Sequence, residues 1–249
     1  RLLAQGERRF AILEKGAEVG GTWRDNSYPG AECDVQSHLY SYSFAGKPDW
    51  SQRYAGWQEI QQYILETTER FGVRPYIRFN QKVTGLHFEP ETARWRVSLA
   101  SGLELRARHV VLATGPLHVP NLPRLPGLER FAGKVFHSAQ WDHGYDLAGK
   151  RIASIGTGGS AIQYCPRIAL AATRLHVFQR TPAWVIPRDV RTYSESTKKR
   201  FGRFDVLRRL HRARLYWTNE SRVWPIFHPV LARGLQRLAR WNIRRAVGD

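Results

Sequence analysis

A glycine-rich turn near the middle of the chain has the residue types needed to hold a dinucleotide pyrophosphate. The segment Ile152-Ala-Ser-Ile-Gly-Thr-Gly-Gly-Ser160 places the pattern G-x-G-x-S between an apolar run and a helical run. In a Rossmann βαβ unit the first glycine makes a tight turn and the second lets phosphates approach the backbone, beside a helix N-terminus with free N–H groups. Gly156 and Gly158 fit these two roles. A purely structural glycine turn is the alternative.

The strand expected after that helix ends without the acidic residue that NAD-specific folds use. Leu175-His-Val-Phe178 is an apolar run, and Gln179 and Arg180 follow it. A carboxylate at this point would bind the ribose 2′-hydroxyl of NAD and repel a 2′-phosphate, whereas an arginine accommodates the phosphate. The sequence therefore favours NADPH over NADH.

A second nucleotide site is indicated near the N-terminus. Phe10-Ala-Ile-Leu-Glu14 is typical of a buried parallel strand ending in a ribose-binding acid, whose glycine turn would have to precede Arg1. The loop Gly20-Gly-Thr-Trp-Arg-Asp-Asn-Ser-Tyr-Pro-Gly-Ala-Glu-Cys-Asp34 follows at a short distance. A lone glutamate at a strand end is more often a surface residue. The loop, however, matches [A/G]-G-x-W-x-x-x-x-[F/Y]-P-[G/M]-x-x-x-D at every fixed position, Tyr28 and Gly30 among them, and so resembles a signature of the family named below. That resemblance favours the nucleotide-binding interpretation.

A third motif lies between the two nucleotide sites. The segment Phe131-Ala-Gly-Lys-Val-Phe-His-Ser-Ala-Gln-Trp-Asp142 matches F-x-G-x-x-x-H-x-x-x-W-D, with Phe131, Gly133, His137, Trp141 and Asp142 at the fixed positions. Together with the loop 20–34, Ala113-Thr-Gly115 and the second Rossmann turn, in that order along the chain, this motif resembles the type I Baeyer–Villiger monooxygenases. The resemblance covers essentially the whole chain.

The resemblance implies a flavoenzyme that inserts one oxygen atom of O₂ beside a ketone carbonyl, giving an ester or lactone. In this family NADPH reduces FAD, and a C4a-peroxyflavin then attacks the ketone. A fixed cation in a water-poor site would stabilise the anions involved. Arg180 is the catalytic candidate that the resemblance indicates, and Asp34 is the carboxylate that would orient it. A surface arginine and a loop-capping acid are the alternatives.

The resemblance also assigns contacts to both cofactors and a role to the third motif. His137, Trp141 and Asp142 are expected to couple the two domains, although a histidine could serve as a general base. The histidines and cysteines of the chain form no set with metal-ligand spacing, so we expect no metal site. The FAD contacts are Glu14, Gly21, Thr22, Trp23, Asp34, Val35, Tyr40 and Val83, and the NADPH contacts are Gly156, Thr157, Gly158, Ser160, Arg180 and Thr181.

Alternating strands and helices predict an α/β fold with two Rossmann-like, three-layer dinucleotide-binding domains and a helical C-terminal segment. We place the partial FAD-binding domain and its connector at residues 1–140, and the partial NADP-binding domain at 141–249 with helices over 192–249. Smaller elements are also expected. These are a helix over 57–71, a hairpin of strands 83–89 and 94–100, and a strand over 103–114.

The net charge of +18 is concentrated near the C-terminus, where residues 191–249 carry 15 Lys and Arg against four acids. Apolar residues recur there at helical spacing, which predicts amphipathic helices with a basic face in solvent. The other interpretation is a basic module that binds nucleic acid or a membrane surface on a degenerate flavoprotein fold, but no nucleic-acid motif supports it. The apolar stripes are Val206, Leu210, Ala213 and Trp217, then Leu231, Leu235, Leu238 and Trp241.

The remaining expectations concern context. The 249 residues include no methionine, and Arg1-Leu-Leu-Ala-Gln-Gly6 resembles the end of a helix. We therefore expect a fragment truncated at both ends, without the first glycine motif of the FAD site. Two cysteines without metal or C-x-x-C spacing favour a reduced, cytoplasmic protein. The expected substrates are a ketone and O₂, with no nucleic acid and no membrane insertion. The nearest alternative is an N- or S-oxidising flavin monooxygenase.

Overall fold

The computed structural model describes residues 1–117 and 119–247. Its tertiary contacts divide the chain into two compact units that do not follow chain order. The first unit contains residues 1–27 and 60–141, and the second contains 28–59 and 142–249. One boundary, between Trp141 and Asp142, lies within the third motif. The expected division into an FAD-binding part and an NADP-binding part stays a prediction.

The helices and strands of the described residues are as follows. The strands are β1 (Ile12–Leu13), β2 (Ile77–Arg78), β3 (Val83–Glu89), β4 (Arg94–Leu99), β5 (Glu104–Ala107), β6 (Arg151–Ile155) and β7 (Arg174–Phe178). The helices are α1 (Thr22–Asp25), α2 (Ser37–Tyr40), α3 (Trp57–Arg70), α4 (Gly159–Ile168), α5 (Glu195–Arg203), α6 (Asp205–Ser221), α7 (Trp224–Phe227) and α8 (Pro229–Val247).

The first unit contains the predicted hairpin, which is confirmed to within a residue. Strands β3, β4 and β5 form an antiparallel sheet in that order, with a bulge between Val83 and Gly85. Phe88 lies opposite Trp95 with ring centroids 5.3 Å apart, a cross-strand pair of the kind that stabilises sheets. Val97 and Leu99 are buried on the same sheet. The short strands β1 and β2 pair in parallel.

The prediction of a strand over 103–114 is wrong in its second half. Strand β5 ends at Ala107, and no regular structure is assigned from 109 to 115. Val111 and Leu112 are 87% and 72% exposed there. The apolar run has the composition of a buried parallel strand, but no described strand pairs with it, and a strand needs a partner for its backbone hydrogen bonds.

The second unit contains the predicted βαβ unit. Strands β6 and β7 pair in parallel, from Arg151 opposite Arg174 to Ile155 opposite Phe178, and α4 connects them. Ser154, Ala161 and Ile168 are buried between strand and helix. The prediction of strand, glycine turn, helix and second strand is therefore confirmed.

Helices α5 to α8 confirm the helical segment, but the predicted orientation of α6 is wrong. Val206, Leu210 and Trp217 are 66%, 60% and 69% exposed, while Arg208 and Arg212 face the rest of the unit. The spacing of the apolar residues correctly located the stripe. The helix nevertheless turns Arg208 and Arg212 toward residues 36–46, because these arginines form hydrogen bonds with backbone carbonyl groups there. None of the helices in the described part of the chain is long and apolar enough to cross a bilayer.

Candidate functional site

The glycine turn between β6 and α4 has the geometry of a phosphate cradle. Gly156 has φ +96°, a conformation that residues with a side chain rarely adopt, and its N–H donates to Phe178 O at 2.8 Å. A Cβ added at Gly156, Gly158 or Gly159 would meet no atom within 4 Å. The space beside all three glycines is therefore open, as an approaching pyrophosphate requires.

The N-terminus of α4 leaves its backbone donors available. Gly158 is the N-cap residue, in an extended conformation, and as a glycine it has no side chain to cap the first turn. The first N–H groups of a helix have no partner within the helix, and the helix dipole adds positive potential there. Ser160 lies in this first turn. These features fit the pyrophosphate of a dinucleotide.

The end of β7 presents polar and basic groups beside this turn. The Gln179 amide donates to Thr157 Oγ1 at 3.0 Å, which ties the strand end to the glycine turn. Arg180 and Thr181 follow directly and are both exposed. This placement fits contact with a ribose 2′-phosphate, which is what the sequence predicts of them.

Most of the predicted FAD contacts in the first unit lie in a compact loop after β1 and in the short helix α1 that follows it. Glu14 Oε1 accepts from the Gly16 N–H at 2.7 Å and from Arg24 Nη1 at 3.1 Å. Gly20 and Gly21 have φ +118° and +51°, and Gly21 precedes α1, which holds Thr22 and Trp23. Val83 begins β3. Glu14 thus orders this loop, and its assignment to the FAD ribose stays a prediction.

The other predicted FAD contacts belong to the second unit. Asp34 and Tyr40 are exposed, whereas Val35 is half-buried and its N–H donates to Cys33 Sγ at 3.4 Å. Burial raises the pKa of the Cys33 thiol to about 11, so this cysteine stays a protonated core residue rather than a nucleophile.

Asp34 and Arg180 make no hydrogen bond or ion pair with each other within residues 1–117 and 119–247. The orientation of that arginine by the carboxylate and both catalytic assignments stay predictions.

The basic residue that does contact the segment before Asp34 is Arg188, which the sequence did not single out. Its guanidinium donates to Glu32 Oε1 at 2.5 Å and to Cys33 O at 2.8 Å. It also stacks over the Tyr54 ring, 3.8 Å from the centroid. Arg188 therefore fixes the backbone next to Asp34. No local pattern marks Arg188, because its partners lie 156 and 155 positions away in the sequence.

Gln163 on α4 is a second functional candidate that the sequence did not indicate. Its Oε1 accepts from the Tyr28 hydroxyl at 2.9 Å and from the Glu32 N–H at 3.3 Å, and its Nε2 donates to Glu32 O at 3.0 Å. One amide therefore binds both the tyrosine of the loop motif and the backbone two residues before Asp34. Contacts across more than 130 positions leave no local signal.

The third motif contains the point along the chain, between Trp141 and Asp142, where one unit ends and the other begins. The His137 Nδ1 accepts from the Ala139 N–H at 3.1 Å and caps a short 3₁₀ turn. Phe136 and Trp141 contact edge to face with centroids 5.2 Å apart, and Asp142 accepts from the Gly144 N–H at 3.1 Å. His137 thus has a capping role, while domain coupling stays a prediction.

Comparison with known proteins adds a family to this geometry. Residues 11–225 match the model of the flavin-binding monooxygenase-like family. The whole chain is 45% identical to a Baeyer–Villiger monooxygenase of Streptomyces coelicolor and 44% identical to one of Pseudomonas aeruginosa, covering 48% and 47% of their lengths. It therefore spans about half the length of these curated relatives.

Solved structures agree. A steroid monooxygenase bound to NADP superposes with a TM-score of 0.69 at 41% identity, over 77% of this chain and 38% of that one. A cyclohexanone monooxygenase from Rhodococcus sp. Phi1 bound to NADP⁺ gives 0.74 at 35% identity, over 80% and 38%. The predicted α/β fold of Rossmann type and the resemblance to Baeyer–Villiger monooxygenases are thereby confirmed, and the chain belongs to the flavin-binding monooxygenase-like family.

Proposed function

We propose that this chain is the nucleotide-binding part of an NADPH-dependent Baeyer–Villiger monooxygenase that uses FAD and O₂ to convert a ketone into an ester or lactone. The observation that carries the proposal is the open glycine turn of β6 and α4, with uncapped helix donors and an arginine in place of the NAD-type acid. Relatives that are solved with NADP, or with FAD and NADP, support it. A cytoplasmic location is part of the proposal, supported by the two free thiols.

Each group of residues has a defined task in this proposal. Gly156, Gly158 and the first turn of α4 bind the pyrophosphate, with Thr157 and Ser160 as side-chain donors. Arg180 and Thr181 bind the 2′-phosphate. The flavin supplies the redox and oxygen chemistry. Its proposed contacts are Glu14, Gly21, Thr22, Trp23, Asp34, Val35, Tyr40 and Val83.

Arg180 has a second proposed task, which is to stabilise negative charge during oxygen transfer to the ketone. A guanidinium stays protonated throughout and presents several planar donors. Asp34 would orient that arginine. The exposure of Arg180 leaves it accessible to a ligand, which supports either task.

The proposal is tested by titrating the 249-residue chain with NADP⁺ and NAD⁺ in a calorimeter. We expect NADP⁺ to bind at least about tenfold more tightly, since a charge-assisted phosphate contact contributes about 1.5–3 kcal/mol. Equal affinities would contradict the assignment of residues 178–181 to the 2′-phosphate. NADPH oxidation by the full-length monooxygenase that contains this chain would then be assayed against cyclic, linear and aryl ketones. The assay would identify the substrate class and distinguish ketone oxygenation from N- or S-oxidation.

A further inference from the structure

Hydrogen bonds link helix α4, which follows the glycine turn, to the segment 28–34. The Tyr28 hydroxyl donates to Gln163 Oε1 at 2.9 Å, and the Ser160 side chain in the first turn of α4 acts on the pKa of the same hydroxyl. Gln163 in turn pairs with both backbone polar groups of Glu32, at 3.3 Å and 3.0 Å. The relay therefore runs from Tyr28 through Gln163 on α4 to the backbone two residues before Asp34.

Packing holds this relay in one arrangement. Tyr28 is 7% exposed, and burial raises the pKa of its hydroxyl, which keeps it protonated and able to donate. Gly30 has φ +80°, and a Cβ there would lie 2.8 Å from Gln163 O, so only glycine lets the segment approach α4 this closely. The Gln163 amide accepts from the Glu32 N–H and donates to the Glu32 carbonyl, as the backbone of a neighbouring strand would.

Ser160 connects the proposed phosphate site to this relay. Its hydroxyl is a proposed ligand of the pyrophosphate, and its side chain also acts to lower the pKa of the Tyr28 hydroxyl, against the effect of burial. A phosphate oxygen that engages Ser160 therefore changes the surroundings of the hydroxyl that bonds to Gln163. Buried polar networks of this kind respond as a unit because each bond polarises the next.

We propose that Tyr28 and Gln163 are positioning residues that couple dinucleotide binding at the turn 156–160 to the conformation of the segment 28–34. The inference rests on the proposed function, because it requires NADP(H) at that turn. Binding at one site then stabilises the Asp34 segment, and by linkage an ordered Asp34 segment strengthens NADP(H) binding by the same factor.

Two backbone amides report on the segment directly. The Ala31 N–H donates to Tyr28 O at 3.0 Å and the Cys33 N–H to Ala55 O at 2.9 Å, so their hydrogen exchange measures how often the segment opens. We expect saturating NADP⁺ to slow both exchange rates about fivefold or more in the parent chain, within the usual range of allosteric coupling. In Tyr28→Phe, and independently in Gln163→Ala, NADP⁺ should still bind but leave these rates unchanged.

Tyr164→Phe is the matched control. Tyr164 is the next residue on α4, and its hydroxyl pairs with Ser154 Oγ at 2.8 Å. Its ring lies edge to face with that of Tyr28, 6.0 Å between centroids, a contact that phenylalanine keeps. This variant should keep the full effect of NADP⁺ on Ala31 and Cys33. Gln163→Glu, which keeps the acceptors but cannot donate to Glu32 O, should show an intermediate response.

Two failures are distinguishable. If the parent chain does not bind NADP⁺ at all, the proposed function fails and the coupling falls with it. If the parent binds NADP⁺ but exchange at residues 31 and 33 does not slow, or slows equally in Tyr28→Phe and Gln163→Ala, the coupling alone is overturned.

Discussion

Arg180 has two proposed roles, in cofactor recognition and in oxygen transfer, and experiments on one variant can distinguish them. If it binds the 2′-phosphate, Arg180→Ala should weaken NADP⁺ binding by about 10- to 100-fold, the loss of one charged hydrogen-bonded contact, and leave NAD⁺ binding unchanged. If it instead stabilises developing charge, NADP⁺ affinity should hold while ester formation falls by about 10²–10³. Calorimetry measures the NADP⁺ affinity, and product analysis with the full-length monooxygenase measures ester formation.

Arg174 provides the control for that experiment. It is an exposed arginine at the opposite end of the same strand, β7. Arg174→Ala removes the same charge and side chain without approaching the turn, so neither quantity should change. A matching loss in both variants would indicate general electrostatic attraction rather than a specific contact.

His38 makes the free energy of unfolding depend on pH. It is 3% exposed, and burial, then the nearby His211, Arg208 and Arg212, lower its pKa from 6.5 to about 3. The folded state therefore keeps His38 neutral below pH 6.5, where the unfolded state takes up a proton, so stability is lost as the pH falls from about 6.5 toward about 3. Between pH 7 and 5 this histidine alone should cost about 2 kcal/mol.

Denaturant unfolding of His38→Phe checks that value. Phenylalanine fits among the rings of Tyr193 and Phe201, whose centroids lie 5.1 and 4.9 Å from that of His38, and it cannot titrate. The variant should lose about 2 kcal/mol less than the parent over the same range. His87→Phe, at an exposed position on β3, should behave like the parent.

Local rules account for some site residues and not for others. Gly156 was predictable because its conformation is set within the strand–turn–helix motif that contains it. Gln163, Arg188 and His38 were not, because their roles depend on partners that are far away in sequence. The loop motif indicated Tyr28 and Gly30 as fixed positions, but only the structure gives the reason, which is close contact with α4.

At the scale of elements, α6 shows tertiary contacts overriding an amphipathic pattern. Arg212 Nη1 donates to the carbonyl oxygens of His38, Leu39 and Ser41 at 2.7, 2.9 and 3.0 Å, satisfying the C-terminal end of α2. Periodicity locates the helix but does not determine which of its faces is covered. Leaving three partly buried carbonyl groups without donors would cost more free energy than exposing a leucine.

The expected effects on stability are therefore reversed from those of an ordinary amphipathic helix. Arg212→Met should lower the free energy of unfolding by about 2–4 kcal/mol, because it leaves carbonyl groups unpaired. Leu210→Ser should change it by less than about 0.5 kcal/mol, since Leu210 is 60% exposed. Arg209→Met, on the exposed side of the helix, controls for the loss of charge. A large cost for Leu210→Ser would contradict the orientation of α6.

The strand elements were predictable where a hairpin or a βαβ motif supplied the partner. Strands β3, β4, β6 and β7 each pair with a neighbour that is close in sequence. The run 108–114 has the composition of a strand but no neighbouring motif to pair with, and composition alone does not reveal whether a partner exists.

At the scale of the whole molecule, the charge of +18 allows a test against the nucleic-acid alternative. Non-specific binding to DNA by neutralisation of several phosphates weakens by about 10³–10⁵ between 50 and 200 mM salt. We expect duplex DNA to be released by about 200 mM salt while NADP⁺ remains bound. Filter binding and calorimetry on the same samples measure both. DNA binding that survives this salt and displaces NADP⁺ would instead favour a basic binding module.

The discontinuous second unit has a practical consequence for building chimeric enzymes. Residues 28–59 form a compact unit with residues 142–249, and the Glu32 contacts of Gln163 and Arg188 join these two stretches. A crossover placed only at 141/142 would pair one parent's loop with the other parent's helix α4. Crossovers at 27/28, 59/60 and 141/142 would exchange the second unit whole, so recombination libraries should inherit these two stretches together.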